Sequence, residues 1–163
     1  HKIARQSEDT VFLVVRSGDE AVCVHRQEGS YPIKAFVTNA GKRRLLGFSA
    51  VGICLLAGDS DETITAQHAR HAEAYEKQGM TLAVLREHVH FVRRHGYSEM
   101  RDFGPPDTAG VGHAFQMSAT AKAGVSIAAI GARMGPRRIR ELGQMLQQEL
   151  APFAYVPPPA SAA

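Results

Sequence analysis

Gly41-Lys-Arg-Arg-Leu-Leu-Gly-Phe-Ser-Ala-Val-Gly52, continued by Ile53-Cys-Leu-Leu-Ala57, is the stretch on which the reading of this chain turns. A basic loop started by glycine gives way to Ser49, a residue type that caps helix N-termini, and then to small and apolar residues. The pattern predicts a helix over residues 49–58. The first turn of such a helix carries backbone N–H groups without intrahelical partners and the positive end of the helix dipole. That makes it a seat for a small anion. Strand-like sequence precedes the helix and helical sequence follows it. The expectation is a pocket over this seat, in a chain that senses a small acid.

Size and composition bound what surrounds it. The chain has 163 residues, which fits one domain with a core that needs no staples. Net charge is only +3, from 19 basic and 16 acidic residues, too weak a field to mark a nucleic-acid surface. The basic runs Lys42-Arg43-Arg44, Arg93-Arg94 and Arg137-Arg138 are therefore read as solvated faces. Cys23 and Cys54 have apolar neighbours and read as buried thiols in a reducing compartment, neither a disulfide nor a metal pair. No apolar run has the length of a membrane span and no signal peptide is visible, so the expected location is cytoplasmic, without a membrane partner. The chain begins at His1 in a polar, helix-like stretch, as expected of a piece of a larger parent.

Upstream of the decisive stretch, a short helix ends at residues 7–10. Val11-Phe-Leu-Val-Val15 and Ala21-Val-Cys-Val-His25 then read as a β-hairpin across a polar turn. Ile33-Lys-Ala-Phe-Val37 alternates as a third strand. Downstream, a helix is expected to start at Asp59, with Glu62 completing a capping box, and to stop at Gly79. Thr81 caps a further helix carrying Leu82, Leu85, Val89 and Val92 on one stripe, ending at Gly96. Tyr97–Arg101 reads as a short strand, and residues 102–109 as a loop. Residues 110–119 and 125–132 read as a second hairpin. Pro136 opens the last helix, with Ile139, Leu142, Met145, Leu146 and Leu150 on one side. Residues 1–156 are then the domain, and the Pro/Ala-rich residues 157–163 a tail. Strand pairs interrupted by helices make an α+β fold, a central antiparallel sheet flanked by helices.

Four segments together resemble the effector-binding domain of IclR-family bacterial transcriptional regulators, across about residues 2 to 150. They are Asp9 through Arg26 with Glu28-Gly29, the Gly41–Gly52 loop and helix, His95-Gly-Tyr97, and Ser126 through Pro136 with Ile139-Arg-Glu-Leu142. The resemblance implies a GAF-like (profilin-like) fold, a small organic acid as effector, and self-association as a dimer or tetramer. It implies no enzyme activity, cofactor or metal. It also implies DNA binding only through an N-terminal winged helix-turn-helix, which this sequence lacks.

Carried over by position, Ala50 and Val51 fall where the family cradles a carboxylate with backbone amides, beside Phe48 and Ser49. Ser126 matches the first serine of a Ser-x-Ser strand, and His113 falls where many members have a cysteine. Ala128 replaces the second serine, which removes a hydrogen-bonding hydroxyl worth ~1 kcal/mol. Gly112 replaces an arginine. The loop of residues 98–109 is longer than usual, with Asp102 as its candidate pocket acid. If Phe48 and Phe115 point inward, the pocket prefers a larger, partly aromatic acid.

Other readings stand beside this one. Ser126, His113 and Asp102 could form a small hydrolase site, though no nucleophile elbow or phosphate loop occurs. A GAF-like oligomerisation module without ligand is the second alternative. His68-x-x-His71, Glu73, His88 and His90 have the residue types of a metal site, but the polar helix around them reads as a solvated face.

Overall fold

The computed structural model describes residues 1–35, 37–102 and 105–155. Phe36 of the expected third strand, Phe103 and Gly104 of the 98–109 loop, and the expected tail of residues 157–163 lie outside the described residues.

The β-branched run after the first helix (α1, Lys2–Ser7) forms β1, Thr10–Ser17, which folds back onto β2, Glu20–Gln27, through Gly18 at φ 62°. A short β3, Arg43–Leu45, leads into α2, Ala50–Ala57. Helices α3 (Asp61–Arg70), α4 (Ala72–Lys77) and α5 (Leu82–His95) follow. The chain returns as β4 (Ser98–Arg101), β5 (Thr108–Gln116) and β6 (Lys122–Ile130), and finishes in α6, Pro136–Leu150. The six strands form one sheet in the order β3-β2-β1-β6-β5-β4, every neighbouring pair antiparallel. The two hairpins are zipped together by β1 and β6, from Thr10 opposite Ala128 to Val15 opposite Ala123.

Successive strand residues point to opposite faces, and each face has its own core. On one face Phe12, Val14 and Ala128 pack under α2, with Ile64, Tyr75, Leu85 and Val89 of the following helices. All eight residues of α2 are buried, as an all-round apolar helix demands. On the other face Val11, Val111, Val125 and Ile127 meet Ile139, Leu142, Leu146 and Leu150 of α6. This is the α+β, helix-flanked antiparallel sheet that the sequence predicts.

Four local expectations need correction. The described residues between 33 and 37 form no strand. The edge of β2 is taken instead by Arg43–Leu45, opposite Glu20–Val22, and Ile33 is left exposed. Asp59 does not cap the next helix, because its carboxylate is engaged by Arg16 and Lys122; Ser60 caps it, accepting from the Thr63 amide. That helix also breaks at His71, φ −121°, which separates α3 from α4. In the second hairpin β6 starts at Lys122, ahead of the expected Val125.

Candidate functional site

The tip of α2 is placed by its own sequence and by a buried polar prop. Ser49 is extended, and its hydroxyl accepts from the Gly52 amide at 3.1 Å, an N-cap. Gly47 sits at φ 99°, where a Cβ would crowd Leu85 and Tyr75 at 3.0 and 3.2 Å, so the turn into α2 takes only glycine comfortably. Behind that turn the Tyr75 hydroxyl donates to the Leu46 carbonyl at 2.7 Å and accepts from Gln67 Nε2 at 2.9 Å. The Tyr75 ring stacks on His68 with centroids 4.7 Å apart and meets Phe48 at 5.1 Å. Among the described residues the amides of Ala50 and Val51 have no acceptor, as the first turn of a helix leaves them.

Two adjoining hollows of about 50 Å³ each lie between this tip and the sheet. Val37, Arg44, Ser49 and Ser126 border both. Ala50, Ala128, Met100 and Thr108 are among the walls of the first; Val51, Phe12, Cys23 and Lys42 are among those of the second. Among the described residues no aspartate or glutamate lines either hollow. Arg44 donates to the Val37 carbonyl at 2.8 Å and to the Phe48 carbonyl at 3.5 Å, and among the described residues it makes no ion pair. A half-buried guanidinium, bonded only to carbonyls and set beside unpaired amides, is an electropositive cradle.

Of the residues singled out in the sequence, Ser49, Ala50, Val51, Ser126 and Ala128 come together here. The other four lie elsewhere. Phe48 turns its ring onto Tyr75. Asp102 is exposed at φ 56°, and its carboxylate accepts from the Asp107 amide at 3.1 Å, closing its own loop. His113 and Phe115 point to the α6 face. On β5 the residues over α2 are Gly112 and Ala114, while Val111 and Phe115 belong to the α6 core. His113 donates from Nδ1 to the Gly96 carbonyl at 2.5 Å. Ser126 pairs with Gly112, not His113, so the hydroxyl and the imidazole occupy opposite faces and form no dyad.

Arg44 is the site residue that the sequence reading missed, having placed the whole basic run on a solvated face. The strand period separates its members: Arg43 faces out to Glu20 and Ser17, and Arg44 faces in. That signal exists in the sequence once residues 43–45 are seen as a strand.

Elsewhere, titratable groups are committed to structure. His71 bonds the Asp19 carboxylate at 2.9 Å, and His68 donates to the Met80 carbonyl at 3.0 Å. Among the described residues no three metal-ligating side chains converge. Cys54 donates to the Gly112 carbonyl at 3.1 Å, and burial pushes its thiol up to about 12.

Comparison with known proteins agrees with this architecture. The family model described as bacterial transcriptional regulator IclR C-terminal matches residues 1–151. Among solved structures, the repressor BlcR of Agobacterium tumefaciens is similar at 21% identity and a TM-score of 0.75, over 91% of this chain and 59% of its own. IclR of Thermotoga maritima is similar at 20% identity and 0.76, over 91% and 61%. An IclR transcriptional regulator from Alicyclobacillus acidocaldarius gives 18% and 0.79, over 94% and 63%. The chain thus spans about three fifths of the length of each. No curated protein matches it in sequence.

Proposed function

The chain belongs to the bacterial transcriptional regulator IclR C-terminal family, and from that premise we propose that it is the part of a regulator that binds a small organic acid in the hollows at the tip of α2. The observation that carries this reading is Arg44, a guanidinium without an acidic partner among the described residues, beside the unpaired amides of Ala50 and Val51. A carboxylate there would accept from the helix amides, from Arg44 and from the Ser126 hydroxyl.

The dimensions favour a compact acid. Each hollow has room for a few water molecules at the ~10–15 Å³ that each needs, well under the roughly 300–1,000 Å³ of a drug-sized site. The aromatic preference required Phe48 and Phe115 to line the pocket, and neither does. Self-association as a dimer or tetramer would then carry the response. Ligand would bias the balance of subunit arrangements and so reposition DNA-binding domains elsewhere in the parent protein. Among the described residues no helix is long and apolar enough to cross a membrane.

Thermal-shift titration with a panel of small acids tests this. At about 100 times Kd a ligand adds ~2.7 kcal/mol, roughly 5–10 °C for a chain of this length. The expected result is a saturable rise with at least one compact acid, lost in Arg44→Ala. A panel without response, or an undiminished response in Arg44→Ala, would overturn the reading.

A further inference from the structure

Among the described residues the two hollows are lined by two cations and no acid. Arg44 borders both, while Lys42 borders only the second, with Thr38 and Cys23. Among the described residues the Lys42 ammonium has no hydrogen-bond or ion-pair partner. Its neighbour Arg43 is spent outward on Glu20 at 2.7 Å. The positive charge is therefore twofold, a half-buried guanidinium between the two hollows and an exposed ammonium at the rim of the second, with the positive end of α2 added to it. A single carboxylate would neutralise half of it.

We infer that the ligand is a short dicarboxylate with one carboxylate in each hollow. This rests on the anion-binding reading above and specifies the chemistry of that site. The first carboxylate lies against the Ala50 amide, Ser126 and Arg44. The second reaches Lys42 and the Thr38 hydroxyl. Arg44 stands between them, and its planar fork presents donors to both. The apolar connection of the diacid passes over Phe12, Val14 and Cys23, which line the second hollow. Because the hollows share four walls, the two seats are neighbours and the connecting chain is short.

Calorimetric titration of the full 163-residue chain decides this, using linear dicarboxylates from malonate to adipate beside the monoamide of each. The monoamide keeps length and hydrogen bonding but removes one charge. The expected result is one best-fitting length that binds about tenfold tighter as the diacid than as its monoamide. Lys42→Ala should lower that diacid to about the affinity of its monoamide. If monoamides bind as tightly as diacids and Arg44→Ala abolishes both, the dicarboxylate inference falls and the anion site stands. Affinity independent of chain length would also overturn it. Should neither class bind at any length, the inference and the anion site fall together.

Discussion

Gly112 of β5 lies against the backbone of Val51 in the first turn of α2: a Cβ at Gly112 would stand 2.5 Å from the Val51 nitrogen. Sheet and helix touch main chain to main chain at the point where the hollows begin. The arginine that the family pattern carries at this position has no room here. The same contact fixes how near the helix tip stands to Ser126, which is paired with Gly112 across the hairpin.

Gly112→Ala should therefore pry the first turn of α2 off the sheet. Overpacking of this kind costs roughly 1–3 kcal/mol, and about 2–4 °C of Tm per kcal/mol for a chain of this size. Urea and thermal midpoints check it, and an unchanged midpoint would mean that the two backbones part without strain.

Tyr75→Phe should remove the prop behind the α2 turn while keeping its ring stacked. The Leu46 carbonyl and Gln67 Nε2 would lose their shared hydroxyl in a fully buried setting. The expected destabilisation is about 1–3 kcal/mol, read from denaturant midpoints at constant slope. A smaller loss in Tyr75→Phe than in a solvent-exposed control would contradict the buried-network account.

His88 should make stability fall in mild acid. Burial holds its imidazole below the ordinary range, against the opposing pull of the carboxylates of Glu87 and Glu99; Arg101 borders the same groove. The folded protein thus releases this proton more readily than the unfolded chain, whose histidine titrates near ~6.5. Its contribution is complete above ~6.5 and is lost as pH falls from there towards the folded value, because the unfolded state binds more protons in that window. Urea midpoints at about pH 7.5 and about pH 5.5 should differ more for the native chain than for His88→Gln. Equal differences would count against it.

Much of this was legible before any coordinates. Ser49, Thr81 and Gly96 stop and start helices where their types predict, because capping is settled within a few residues. The stripes Leu85-Val89-Val92 and Ile139-Leu142-Leu146 name their buried faces for the same local reason. The candidate site was legible only in part. Ser49, Ala50 and Val51 belong to one helix start and arrive together, with Ser126 and Ala128 opposite them, whereas His113 and Phe115 fall on the wrong side of β5.

Sequence by itself determined the α+β class, the helix ends, the apolar α2 and the electropositive tip it presents, since caps and periodicity act over short separations. Tertiary structure alone decided which strand took the edge of β2, which way Arg44 faced, and on which side of the sheet His113 lay. Those outcomes depend on strand register, and a shift of one residue turns every side chain to the other face. Register is set by partners far along the chain, such as Thr10 and Ala128, that no local pattern brings together.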